Sequence, residues 1–297
     1  MPNEDEFEDR PRRSRRDDEF ENEPRRPRRD GEDDRPARPA KKSNLFLILG
    51  IVAAVLIVPC CGGGFYMLLN GVQSVRTAAN RMKLSNNFKQ VGLGVSNYES
   101  TYAYLPTNTY DANGKPLLSW RVHILPYIEQ NNLYSQFKLD EPWDSPNNRP
   151  LLDLMPAIYG RVGDSSPSVR GNRTYVRAFA TPGAVMERIP PERYMRRGNL
   201  QPRPAYGLDE ISDGASNTIF CIEAGESVEW TKPDDLTWDI GQPLPALGGD
   251  RGTNEFIVVL SDGFVRPFKK SIAPEQLKAL ITISGGEKVN VEDLIKK

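Results

Sequence analysis

Apolar positions along this chain follow three patterns in succession. Residues 45–69, LFLILGIVAAVLIVPCCGGGFYMLL, run for 25 positions without a charged side chain. At about 1.5 Å of rise per residue, a helix of that length covers the roughly 30 Å hydrocarbon core of a bilayer. Core helices of soluble domains are seldom apolar on every face for so long, so the run predicts a single transmembrane helix. Next, Leu68, Val72, Val75, Ala79 and Met82 are spaced 4, 3, 4, 3, and Leu84, Phe88, Val91, Val95, Tyr98 and Tyr102 are spaced 4, 3, 4, 3, 4. Both stripes predict an amphipathic helix lying against a core. They slip by two residues between Met82 and Leu84, which predicts a bend near Ser85-Asn86, and Leu105-Pro106 ends the run.

The third pattern is mixed. Asp111-Ala112-Asn113-Gly114 predicts a tight turn, because Asn-Gly readily takes up positive φ. Val122, Leu125, Ile128 and Leu133 predict a helix over 118–137, bent or started at Pro126. Ser145 is placed to cap a short helix after the turn at Pro142. Residues 160–205, rich in Gly, Pro, Ser and Arg, predict loops around a strand at 174–180. Residues 217–223 and 256–260 are β-rich and predict paired strands, with a short helix or strand at 277–283.

Charge separates the two flanks of the apolar run. Residues 1–44 carry 13 Lys+Arg and 14 Asp+Glu, and their larger apolar side chains are Met1, Phe7 and Phe20. Such a segment cannot bury enough surface to offset its ordering entropy and is expected to be disordered. Its basic blocks, such as Arg12-Arg13-Ser14-Arg15-Arg16, alternate with acidic blocks such as Asp17-Asp18-Glu19 that compete for the same arginines. This argues for a solvated spacer, with docking to a membrane surface or a protein as the alternative, and against nucleic acid as a partner. Arg35, Arg38, Lys41 and Lys42 crowd the N-terminal edge of the apolar run, whereas the other edge has no positive charge until Arg76. The positive-inside bias predicts a cytoplasmic N-terminus and an exported C-terminal domain. With 44 residues ahead of the run and no Ala-x-Ala-like site after it, an uncleaved signal anchor fits better than a signal peptide.

Chemistry is sparse. His123 is the one histidine of the chain, and nothing around it resembles a nucleophile elbow. One histidine and three scattered cysteines argue against zinc; Gly248-Gly249 and Gly285-Gly286 read as turns, since no Gly-rich phosphate loop follows a strand. Cys60-Cys61, beside Gly62-Gly63-Gly64, read as a small-residue packing patch, an intermolecular disulfide or an acylation site; Cys221 reads as a small core residue. Trp120, Trp143, Trp230 and Trp238, with Tyr104, Tyr110, Tyr127 and Tyr134, would supply core packing or line a glycan or peptide groove.

The run AANRMKLSNNFKQVGLGVSNYESTYAYLP resembles the start of a large, mainly planctomycete family of pilin-like proteins of unknown function. The likeness continues through GKPLLSWRVHILPYIEQNNLYSQFKLDEPWDSPNNRPLL, ISDGASNTIFCIEAGESVEWTKPDDL and NEFIVVLSDGFVRPFKKSIAPEQLKALITISGGE, and so covers most of residues 71–287. The family is similar to type IV pilins and type II secretion pseudopilins. The resemblance therefore implies a protruding N-terminal helix packed on an antiparallel sheet, in an envelope protein, and implies no reaction. Lys42-Ser43-Asn44-Leu45-Phe46 departs from a prepilin cleavage site. Many relatives carry a histidine ten residues before the late Asp-Gly, where Gly252 stands before Asp262-Gly263 here. Pseudopilins of type II secretion can hold calcium in acidic loops; Asp209, Glu210 and Asp213-Gly214 form such a cluster, although Asp213-Gly214 and Asp262-Gly263 fit turns equally well.

The expected architecture is α+β: a disordered cytoplasmic tail over 1–44, a transmembrane helix over 45–69, an amphipathic helical stalk over 70–105, and an exported pilin-like domain over 106–297. The expected function is that of a single-pass protein of the cell inner (cytoplasmic) membrane with a structural or assembly role, in contact with other envelope proteins or with itself. It is not expected to be an enzyme, and no catalytic, cofactor-binding or metal-ligating residue and no cofactor is assigned. The alternative is a membrane-anchored solute- or glycan-binding module, which would show a concave aromatic site.

Overall fold

The computed structural model describes residues 44–163, 171–190, 193, 203–249, 253–287, 289 and 291–296, with side chains left out at 53–71 and 296. The tail expected over residues 1–44 lies outside them except for Asn44. The chain divides into two compact units, Met1–Cys61 and Gly62–Lys297, and helix α1, Leu45–Tyr102, contributes to both.

In the first unit the large apolar side chains between residues 45 and 52 are all half or more exposed, Phe46 at 87%. Among the described residues no helix is long and apolar enough to cross a membrane. The expected transmembrane run 45–69 is helical throughout, but its apolar side chains are described only to Val52. Eight residues of helix cover about 12 Å, well short of a bilayer core. The transmembrane span is thus not a finding of the structure.

In the second unit α1 stays helical through Ser85-Asn86. The slip between the two stripes marks the point where packing begins. Val72, Val75 and Met82 are exposed, whereas Leu84, Phe88, Val91 and Val95 are buried. The helix stops at Tyr102, before the expected Leu105-Pro106, where Ala103 turns left-handed at φ 59°.

Four antiparallel strands follow in the order β1 (Arg173–Arg177), β2 (Ile219–Glu229), β3 (Glu255–Leu260) and β4 (Val265–Lys269). Cys221 and Ile222 pair with Val259 and Val258, and the register shifts between Ile219 and Cys221. That bulge puts Phe220 and Cys221 in the same apolar cluster, with Ile219 and Ile222 in another. A strand buried on both faces reads as a continuous apolar run, which is why Ile-Phe-Cys-Ile shows no alternation.

The first cluster joins Phe88, Val91 and Val95 of α1 to Phe220, Ile257 and Val259. The second joins Phe256, Val258 and Leu260 to Leu277, Leu280 and Ile281 of a later helix, Pro274–Ile281. The sheet is thus sandwiched between helices, and the expected α+β class is observed. The helix expected over 118–137 is broken into α2 (Trp120–His123), a 3-10 turn at Leu125–Ile128 and α3 (Asn131–Tyr134). Pro126 starts the turn, and Glu129, at φ 63°, ends it. In chain order Pro274–Ile281 is α4 and Val291–Lys296 is α5.

Candidate functional site

Two features stand out, a buried polar network and an open groove beside it. The network grows from α2. Ser119 caps that helix, its hydroxyl accepting from the Arg121 amide at 3.3 Å. Arg121 is fully buried, and its guanidinium donates to the carbonyls of Trp230 (2.8 Å), Val176 (2.9 Å) and Lys232 (2.8 Å). Its charge is met by Asp235 at 3.4 Å, both side chains having no exposed surface. Asp235 also accepts from the Ala178 amide (2.9 Å) and from Asn108 Nδ2 (2.7 Å). Burial, opposed by Asp235, lowers the Arg121 pKa, and every polar contact of the pair points into the protein. The network ties β1 and the loop after β2 to α2; its geometry is structural.

The groove encloses about 500 Å3. One wall comes from the end of α1, with Tyr98 and Tyr102, and from Tyr104 just beyond. Tyr98 sits 4.5 Å from Tyr102 and 5.8 Å from both Tyr104 and Tyr127, ring centre to ring centre. Tyr110 also lines the groove, with the Arg188 guanidinium 4.6 Å above its ring. Gly114, at φ 83°, completes the turn expected at Asp111, whose Oδ1 accepts from the Asn113 and Lys115 amides at 2.9 and 2.7 Å. A Cβ on Gly114 would stand 2.8 Å from Arg188 Nη2, so the bare turn gives the guanidinium its seat.

The base carries Asn108 and His123. Asn108 Oδ1 accepts from the Trp120 amide at 3.0 Å, which links the groove to the Arg121 network. His123 Nε2 lies 3.4 Å from Thr109 Oγ1, and burial pushes its pKa down to about 4. It is neutral at ordinary pH, and the Thr109 hydroxyl beside it is engaged with the Leu118 backbone, donating to the carbonyl at 3.3 Å and accepting from the amide at 3.1 Å. Burial foremost, with Tyr104 adding to it, holds the Tyr98 hydroxyl far above the ordinary phenol range; burial also raises Tyr102 and Tyr134. Among the described residues the site therefore presents neutral aromatic rings and hydroxyls with one cation, Arg188, and one carboxylate, Asp111.

Residues 73–273 match the model of a family described as protein of unknown function (DUF1559). The chain belongs to this family. The DUF1559 region includes the whole groove and the Arg121 network, and its description carries no activity. Comparison with curated proteins and with solved structures gave no match.

The other residues singled out by sequence are spread over the chain. Trp120, Trp230 and Trp238 are buried and Trp143 packs on the core, so the tryptophans serve packing. Of the tyrosines, Tyr104 and Tyr110 line the groove and Tyr127 meets Tyr98 edge to face. Tyr98, Tyr102 and Arg188 escaped sequence reasoning as groove residues. The first two looked like core positions of a stripe, and Arg188 sits in a loop-rich stretch with no pattern.

The acidic cluster does not converge. Asp209 pairs with Arg203 at 3.2 Å, Glu210 accepts from the Gly207 amide at 2.9 Å, and Asp213 accepts from the Gly285 and Gly286 amides at 2.6 and 3.0 Å. Among the described residues no three His, Cys, Asp or Glu side chains group to hold a metal. Cys221 is a buried free thiol whose pKa burial raises, and Cys60-Cys61 lie among the residues without described side chains.

Proposed function

We propose that this chain is a single-pass protein of the cytoplasmic membrane, with its N-terminus in the cytoplasm and a pilin-like domain exported. Its role is structural or assembly, through contacts with other envelope proteins or with copies of itself. The observation that carries the reading is the exposed start of α1, where a helix leaves large apolar side chains on all its faces in solvent between residues 45 and 52. Such a surface is stable only against lipid or protein. The uncharged run to residue 69 continues it, and the basic flank at Arg35, Arg38, Lys41 and Lys42 orients it. Exposed Val72, Val75 and Met82 on α1 supply a stripe that the domain's own core does not use. A helix laid on an antiparallel sheet agrees with pilin-like architecture.

Two measurements test it. The chain expressed in cells should resist alkaline carbonate extraction, and crosslinking through residues 106–297 should give a ladder of self-multiples or a defined complex with envelope proteins. Release into the soluble fraction would sink the anchor; a monomer alone would sink the assembly role. The tyrosine groove favours a second reading, an anchored binding module for a solute or glycan.

A further inference from the structure

We propose that the groove lined by the Tyr98–Tyr102–Tyr104 cluster and the Arg188–Tyr110 pair binds a neutral saccharide. This rests on the binding-module reading and names its ligand class. The groove's size, about 500 Å3, falls in the ~300–1,000 Å3 range of small-molecule sites. Of its rings, Tyr98, Tyr104 and Tyr110 are partly buried and Tyr102 is 49% exposed. Tyrosine offers a flat apolar face at low entropic cost and a hydroxyl at its edge. A pyranose has the matching surface, a C–H face that lies on a ring and a rim of hydroxyls that exchange hydrogen bonds.

Charge decides against other classes. Among the described residues of the lining, one guanidinium, Arg188, and one carboxylate, Asp111, balance each other. His123 adds no cation, because burial keeps it neutral. A phosphate or polyanionic ligand would meet no net positive charge among the described lining residues, and a purely apolar ligand would strip water from the tyrosine and threonine hydroxyls without replacing it. Arg188, held over Tyr110 and against the Gly114 turn, keeps its guanidinium edge fixed for hydroxyl oxygens. Asp111 accepts two backbone amides on Oδ1, so its other oxygen faces no contact in the turn and can accept from a sugar hydroxyl.

The test titrates the full chain in phospholipid nanodiscs, which contain no sugar detergent, with cellohexaose, chitohexaose and maltohexaose by calorimetry and saturation-transfer NMR. At least one hexaose should bind with a dissociation constant of about 1 mM or tighter. Tyr102→Ala and Arg188→Ala should each weaken it about tenfold, the scale of one aromatic or cation–π contact, while Leu93→Ala, exposed outside the groove, should leave it unchanged. Both groove substitutions are at exposed positions, so loss of folding does not mimic the result. Binding of none of the three, or binding indifferent to Tyr102→Ala and Arg188→Ala, overturns the proposal. A decaproline peptide or hexagalacturonate that binds in their place and is lost in Tyr102→Ala overturns the saccharide and leaves the binding-module reading standing. Silence from every probe removes both.

Discussion

Gly92 of α1 and Gly263 of the β3–β4 turn meet backbone to backbone. A Cβ on Gly92 would collide with the Gly263 carbonyl oxygen and lie 3.3 Å from Val259 Cγ1; a Cβ on Gly263, at φ 84°, would stand 2.9 Å from the Gly92 carbonyl and run into Ser96 Oγ. The Ser96 hydroxyl donates to the Asp262 carbonyl at 3.3 Å, and Asp262 Oδ1 accepts from the Phe264 amide at 3.0 Å. The late Asp-Gly pair is thus a turn built to rest on a helix, with both side chains removed at the contact.

Gly92→Ala should therefore destabilise the domain even though alanine favours a helix by about 1 kcal/mol over glycine. Two backbones must separate to admit the methyl, and overpacking of this kind costs about 1–3 kcal/mol. Urea denaturation should show a net loss of about 1–2 kcal/mol. Gly171→Ala, where an added Cβ meets nothing within 4 Å, is the control and should change stability by less than about 0.5 kcal/mol. Equal midpoints for Gly92→Ala and the unaltered chain would refute the close contact.

The Arg121–Asp235 pair predicts an asymmetry. Asp235→Ala leaves a fully buried guanidinium without its counter-ion and frees Asn108 and the Ala178 amide. Breaking one side of a buried pair costs about 3–5 kcal/mol. Arg121→Met with Asp235→Leu removes both charges and should recover part of that loss. The check is a double-mutant cycle by denaturation; a double variant less stable than the sum of the singles would show that the carbonyl bonds to Trp230, Val176 and Lys232 matter more than the charge.

This network also marks the limit of what the sequence discloses. The packed half of α1 was legible because Leu84, Phe88, Val91 and Val95 repeat at helical spacing, and the strands at β2 and β3 because β-branched and aromatic residues cluster there. Periodicity reports that a face is apolar and is silent on what covers it, so Val72, Val75 and Met82 looked like core positions and are exposed. Arg121 and Asp235 are 114 positions apart, and no local pattern ties them. The groove was half legible: Tyr104, Tyr110, Tyr127 and Tyr134 were candidates for a rim, but the end of α1 at Ala103, which turns Tyr98 and Tyr102 toward Tyr104, depends on a left-handed residue that is not glycine.

Asp213 secures the loop after α4. Its carboxylate takes the Gly285 and Gly286 amides at 2.6 and 3.0 Å, and the Asp213 amide donates to the Ile283 carbonyl at 3.2 Å. Asp213→Ala should strip protection from those two glycine amides in hydrogen exchange and cost about 1–3 kcal/mol, the scale of hydrogen bonds to a charged acceptor. Asp213→Asn, which keeps one acceptor oxygen, should fall between. Unchanged exchange at Gly285 and Gly286 would mean that the loop holds itself.

His123 sets a pH dependence whose sign follows from its neighbours. Its pKa falls from the ordinary 6.5 to about 4 because burial disfavours the imidazolium. Between those values the unfolded chain binds the proton and the folded chain does not, so stability is full above about pH 6.5 and declines as pH falls toward 4. The loss from this group is at most about 3 kcal/mol, and less where water reaches the ring at the groove. The carboxylate of Asp234, lowered by its hydrogen bond to Lys232 and by Arg177 against the opposing effect of burial, acts in the same direction but below its ordinary 3.8. Replacing His123 with a residue that does not titrate, as in His123→Asn, should flatten the stability curve between pH 6.5 and 4 while leaving the fall below pH 4 in place. A slope in that window that survives the substitution would assign it to another group and leave the imidazole of His123 exposed enough to accept a proton in the folded chain.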